Sequence, residues 1–304
     1  MLVGLTIQKM GPVRPSNWMK LVNLVGIDHI EFDPTVFEDI EAVLALLGNK
    51  SVTLHSPYYT HWGYDLSSKN QSEKVETFLK NVESYTEKLK AHSIVVHPPI
   101  DPQGDKEYFL ENLNRIKITP LLENLPGQKW QDFEQWYLAT KEQIQIKPQI
   151  CFDVPHSFLT HGEDGLFDIP ESLLPDLTYI HISELTSERD CHWPFGTEGG
   201  ELPIGKFKDF IHQHKIELKS QSEVNIDSYR NFLRKRKIIQ IINMEILPSD
   251  LKSVKNLINS YLMLLKLGSK ASFIKKRLRL LVIQPIIFNK LKNVEFQSER
   301  TIYT

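Results

Sequence analysis

Nine side chains stand out by type and place: His55, His97, Glu123, Asp153, His156, His181, Asp190, His192 and Glu223. Most close or follow a short β-type run, as in Val52-Thr-Leu-His55, Ile94-Val-Val-His97, Pro120-Leu-Leu-Glu123, Ile150-Cys-Phe-Asp153, Tyr179-Ile-His181 and Ser220-Gln-Ser-Glu223. Carboxylates and imidazoles are costly to bury unless they are paired or bind metal. One such histidine is most simply a core or capping residue, but five histidines and four carboxylates in this pattern call for a common reason. Metal coordination supplies one. Zinc takes about four ligands, so nine exceed the needs of one ion, and a mixed nitrogen and oxygen set suits zinc, manganese or iron. Two or three neighbouring ions sharing a carboxylate are suited to hydrolysis of phosphate esters.

Such a cluster needs elements that deliver one ligand after another to the same face. Apolar runs read as strands over Leu2–Gln8, Asp28–Phe32, Ser51–His55, Ser93–His97, Thr119–Glu123, Gln149–Asp153, Thr178–Ser183 and Glu217–Glu223. Helical periodicity fills Thr35–Leu47, Ser72–Ala91, Lys106–Ile116, Gln131–Gln143 and Lys206–His214. This alternation predicts βα units around a parallel sheet. Eight strands predict a (β/α)8 TIM barrel, with its site at the carboxyl ends of the strands. The segment after the first strand, Gln8-Lys-Met-Gly-Pro, is not the Gly-rich turn of an open dinucleotide-binding sheet. With Asn225–Lys237 as the last barrel helix, the expected domains are a barrel over 1–237 and a mostly helical, basic C-terminal extension over 238–304. Leu251–Leu267 and Ser272–Leu281 are helical patches within that extension.

The 304 residues carry a net charge of −2 that conceals an asymmetry. Sixteen Lys/Arg against four Asp/Glu in residues 230–304 (net +12) leave twenty against thirty-four in residues 1–229 (net −14). The basic tail could meet nucleic acid or another anionic surface. Two cysteines, Cys151 and Cys191, give no disulfide framework, so a reducing, cytoplasmic setting is expected. No apolar run is long enough to span a bilayer, and a monomer without membrane association is expected.

At the quoted residues the chain resembles the endonuclease IV family of apurinic/apyrimidinic endonucleases, within the xylose-isomerase-like barrel superfamily. The matching segments are His55-Ser-Pro-Tyr58, Val96-His97-Pro98, Leu122-Glu123-Asn124, Phe152-Asp153-Val-Pro-His156, Ile180-His181-Ile, Arg189-Asp190-Cys-His192, Gly199–Ile204 and Ser222-Glu223. The resemblance implies up to three Zn2+ ions, with Mn2+ as an alternative. His55, His97 and Glu123 would hold one ion. Glu123, shared with a second, would be joined there by Asp153, His181 and Glu223, while His156, Asp190 and His192 would hold the third. Glu123, Asp153 and Glu223 are the carboxylates expected to carry catalysis. Tyr58 would contact substrate, and the partner would be DNA containing abasic sites. Two stretches depart from the family pattern: Leu5-Thr-Ile-Gln8 in the first strand, and the acidic Glu31–Asp39 where the family has a basic DNA-contacting loop. The alternative is a sugar or sugar-phosphate isomerase or epimerase of the same superfamily. It would use Glu123, Asp153, His181 and Glu223 around one divalent ion, on a small sugar or phosphorylated substrate.

Overall fold

The computed structural model describes residues 1–9, 13–214, 240–246, 251–268, 273–281 and 285. Eight parallel strands close into a barrel: β1 (Leu2–Ile7), β2 (His29–Phe32), β3 (Ser51–His55), β4 (Ala91–Val96), β5 (Thr119–Glu123), β6 (Gln149–Asp153), β7 (Leu177–Ile182) and, last in the chain, β10 (Ile241–Met244). A short antiparallel hairpin, β8 (Glu184–Thr186) and β9 (Arg189–Trp193), leaves the end of β7. The chain is thus a (β/α)8 TIM barrel, as the sequence predicts.

The strands are nearly continuous apolar runs because both faces are covered, by helices outside and by packed side chains within. In β7 every residue is buried. The helices show the complementary stripe: Ser72–Leu89 buries Val75, Phe78, Leu79, Val82 and Leu89, spaced to fall on one face. Local signals bound the first helix, Pro15–Val25. Proline opens it without loss of a needed donor, and Gly26 closes it at φ 79°, a left-handed value that glycine adopts without strain.

The eighth strand corrects the expected organisation. Ile241–Met244 pairs with β1, Leu2 opposite Ile241, and with β7, Ile241 opposite Tyr179. The segment expected as strand eight, Glu217–Glu223, and the helix expected over Asn225–Lys237 lie outside the described residues. Glu217-Leu-Lys-Ser-Gln-Ser-Glu223 is too polar for a strand buried on both faces, whereas Ile241-Ile-Asn-Met is the apolar run such a place requires. The barrel therefore does not end at 237. The helix Leu251–Gly268 continues it, packing on β1 with Val254, Leu257, Ile258, Tyr261 and Leu264 fully buried. Residues 273–281 are helical too, and Lys276 from this helix meets the Gly26 carbonyl and the Asp28 carboxylate, just before β2. The described part of the basic tail is thus fastened at the amino-terminal end of the barrel. Among the described residues no helix is long and apolar enough to cross a membrane.

Candidate metal centre

The strand ends deliver their ligands to one place. Glu123, at the end of β5, is buried at its centre. Its Oε2 lies 2.9 Å from His97 Nε2 and 3.7 Å from His55 Nε2, and its Oε1 lies 2.8 Å from His181 Nδ1. His181 Nδ1 is also 3.8 Å from Asp153 Oδ2 and 3.5 Å from Glu245 Oε1. Asp153 and His156 share a helix start: the Asp153 Oδ1 accepts from the His156 backbone N–H at 2.6 Å, capping Val154–Gly165. Within β9, Asp190 Oδ2 lies 3.2 Å from His192 Nε2.

Three groupings of these atoms have the size of metal sites: His55–His97–Glu123, Glu123–Asp153–His181–Glu245, and Asp153–His156–Asp190. The second contains Glu245, which follows β10 directly. Glu223, expected there, lies outside the described residues, and the carboxylate at the end of the eighth strand is Glu245. Sequence reasoning missed it because the strand count had already been filled. Its signal was nevertheless the one used elsewhere, an apolar run ending in a carboxylate. The other eight expected ligands all stand at this rim.

The donor set fits metal. Four buried atoms in it lack hydrogen-bond partners: His97 Nδ1, Glu123 Oε2, Asp153 Oδ2 and Asp190 Oδ2. Buried carboxylate oxygens are rarely left unpartnered, and three of these four are carboxylate oxygens facing neighbouring ligand atoms. Two ligands bound at about 2.0–2.1 Å to a tetrahedral ion sit roughly 3.3 Å apart, and the separations of Glu123 Oε2 from the two imidazoles bracket that value.

Most ring orientations are set by main-chain carbonyls. The Nδ1 atoms of His55, His156 and His192 lie 2.8, 2.9 and 3.1 Å from the carbonyls of Ser56, Asn124 and Glu245. Donating there leaves each Nε2 as the coordinating nitrogen. Asn124 also ties β5 to β6, accepting from the Asp153 N–H and donating to the Asp153 carbonyl. His192 sits at φ 49°, a left-handed value that a residue with a Cβ adopts at a cost. The loop behind it is held by Glu184, whose carboxylate accepts from the Gly196 and Leu202 N–H groups. Gly200 is required there, since a Cβ would approach Glu184 side-chain carbons to 2.3 Å.

Without metal the cluster shares protons. Burial disfavours charge on His55, but Glu123, Glu31 and Glu245 outweigh it and raise its pKa to about 9. For His97 burial prevails over Glu123 and lowers the pKa to about 4. Burial, reinforced by Glu123, Asp190 and Glu245, pushes Asp153 well above the carboxylate range. Burial opposes ionisation of Glu123 as well, yet His181 and His97 hold it well below its usual value. Cys151, near Glu123 and His181, has its thiol pushed well up by burial, which disfavours the thiolate a metal would need.

Tyr58 is half-buried with its ring against His97, centroids 4.3 Å apart, so it shields a candidate ligand. The residue least visible in the sequence is Glu31. It lies in β2, within the expected strand Asp28–Phe32, and is wholly buried with Oε2 2.8 Å from His181 Nε2. The alternation of His29 and Glu31 within an otherwise apolar strand was its signal.

The chain belongs to the xylose isomerase-like TIM barrel family, whose model matches residues 19–236. Among solved structures it is similar to a D-tagatose 3-epimerase-like protein (TM-score 0.56, 16% identity, 88% of this chain and 97% of that one). It is also similar to an AP endonuclease, family 2, from Brucella melitensis (0.52, 13%, 84% and 96%) and to endonuclease IV from Thermus thermophilus (0.50, 16%, 86% and 99%). At these identities the likeness is one of fold. A search of the curated proteins finds no match. The family is one of enzymes, with endonucleases and epimerases both among the similar structures, and this member carries a cluster able to hold metal ions.

Proposed function

We propose that the protein is a metal-dependent phosphodiester hydrolase using up to three ions, with zinc the best fit to the donors and DNA at abasic sites as substrate. The observation that carries this reading is the convergence of His55, His97, His156, Asp190 and His192 beside the four ligands that one ion would need. A single-ion enzyme has no use for the orphaned Asp190 Oδ2, nor for three imidazoles fixed by main-chain carbonyls.

When bound, the ions would lower the pKa of water and stabilise charge on the attacking and leaving oxygens. The chain's own residues do the rest. Glu123 would be shared between two positions, Asp153 and Glu245 would complete the second, and His156, Asp190 and His192 would hold the third. Tyr58 covers His97 and restricts water there.

The substrate assignment rests on the family resemblance. Phosphate neutralisation by Lys/Arg supplies much of the affinity for DNA, whereas the described basic helix is fastened at the opposite end of the barrel from the site. Binding of DNA would therefore lean on the ions themselves, with a shallower salt dependence than many Lys/Arg contacts would give.

A second reading has its own support: Glu123, Asp153, His181 and Glu245 form a four-ligand group by themselves, and epimerases are among the similar structures. In it, Glu123 and Glu245 would exchange protons at carbon around one ion. The test is incision of a duplex bearing one abasic site by metal-loaded protein, beside 3-epimerisation of ketohexoses. Incision that disappears in the His156→Ala/Asp190→Ala variant supports the hydrolase. Epimerisation with an inert duplex, unaffected by that variant, supports the alternative.

A further inference from the structure

His181 differs from the other imidazoles at the rim. His55 and His192 each meet a main-chain carbonyl through Nδ1 and turn Nε2 to a carboxylate of the cluster, whereas His181 turns Nδ1 to Glu123, Asp153 and Glu245. Its Nε2 points down the barrel axis to Glu31. Both Glu31 oxygens are occupied: Oε1 accepts from Thr6 Oγ1 at 3.2 Å, and Oε2 accepts from Tyr179 Oη at 2.9 Å and from His181 Nε2 at 2.8 Å. No Glu31 atom is among the orphaned buried atoms, unlike those of Glu123, Asp153 and Asp190. Glu31 also falls in a metal-sized group with His55, His181 and Glu245, but with both oxygens engaged by donors it has the surroundings of an outer partner.

The arrangement below Glu31 has a defined direction. Tyr179 gives its only proton to Glu31, so His29 Nε2, at 2.9 Å from Oη, must donate to Tyr179. A neutral His29 then accepts through Nδ1 from Ser51 Oγ at 3.1 Å, and burial keeps His29 neutral. Thr6 is held in turn by Asn243 Nδ2 at 2.7 Å. These partners come from β1, β2, β3, β7 and β10, so Glu31 is braced by five of the eight strands.

We propose that Glu31 is a positioning residue that fixes His181 with Nε2 protonated and Nδ1 presented to metal, braced by Tyr179 and Thr6. The inference rests on the metal reading of the rim but not on which reaction occurs there, since His181 belongs to both the three-ion and the one-ion sets. Outer partners of this kind alter metal affinity by about 10–100-fold when changed.

The test uses the full chain, with Zn2+ as the probe and a competing chelator to rank the ions held. Glu31→Gln, which keeps the shape and removes the charge, is expected to weaken one bound ion by about 10–100-fold and leave any others near wild type. Tyr179→Phe, which keeps the carboxylate and removes one donor, is expected to weaken the same ion by less than about tenfold. Histidine-selective 15N NMR of the zinc-loaded wild type should show His181 coordinated through Nδ1 with a proton on Nε2. Unchanged zinc affinity in Glu31→Gln, or His181 coordinated through Nε2, overturns the inference. Wild-type protein holding a single ion defeats the trinuclear hydrolase while leaving the Glu31 prediction intact, and wild-type protein holding none defeats both.

Discussion

Two polar regions lie within one barrel, a few ångströms apart, and they are built on opposite principles. Below the rim, His29, Glu31, Tyr179 and Asn243 are buried and Thr6 is half-buried; Glu31, Tyr179 and both nitrogens of His29 have hydrogen-bond partners, while Asn243 Oδ1 lacks one. At the rim, Glu123 and Asp153 are equally buried and Asp190 is half-buried, yet each keeps an unpartnered carboxylate oxygen turned toward neighbouring ligand groups. Burial of a polar group is tolerated where partners replace water. A satisfied network is therefore scaffold, and a converging set of unsatisfied ligand atoms marks where something else must bind. Polarity alone does not distinguish the two regions; the convergence of several unpartnered carboxylate oxygens at the rim does.

The largest effect that would break this contrast concerns Glu123. Glu123→Ala should remove two ions and lower activity by more than the roughly 100-fold upper range of an outer-partner change, read as metal content and initial rate; retention of full metal content would make Glu123 a scaffold residue. Next, His156→Ala with Asp190→Ala should remove one ion while leaving thermal unfolding near wild type, because both residues stand at the partly exposed rim.

A smaller effect concerns protons. Metal-free His55 is charged below about 9, and a ligating imidazole must be neutral. Loading at pH 7.5 should thus release protons, measurable by calorimetry in buffers of different ionisation enthalpy, and affinity should fall by up to about tenfold per pH unit for each proton displaced. The same values give the metal-free chain a stability profile of two signs. The His55 contribution is fully present below its unfolded value and lost as pH rises through about 9. His97, lowered to about 4, costs stability as pH falls from its unfolded value toward 4.

The smallest effect on the rim comes from the scaffold. Tyr179→Phe leaves Glu31 and His29 each short of a partner, so unfolding free energy should fall by about 1–3 kcal/mol while all bound ions are retained. Loss of an ion with no loss of stability would erase the distinction between the regions.

Much of this was legible in the sequence because parallel strands buried on both faces are apolar throughout, so a terminal His or carboxylate is conspicuous. Ser51–His55, Thr119–Glu123 and Gln149–Asp153 match the strands residue for residue. The first helix, Pro15–Val25, went unread although Pro15 and Gly26 punctuate it. The eighth strand was misplaced because Glu217–Glu223 had already completed the count of eight before the more apolar Ile241–Met244 was reached, and Glu245 was lost with it. Glu31 fell within the expected strand Asp28–Phe32 and also at the head of the acidic stretch Glu31–Asp39, and was given no role in the site. Only the barrel's closure, which carries β7 to within reach of β2's inward face, brings it against His181.

The most direct measurement is the metal content of the purified full-length chain, determined by elemental analysis after loading with Zn2+ and removal of excess. Three equivalents per chain, falling to two in His156→Ala/Asp190→Ala, are the predicted result. A single equivalent that survives that double substitution would contradict the account of the rim as a three-ion hydrolase centre.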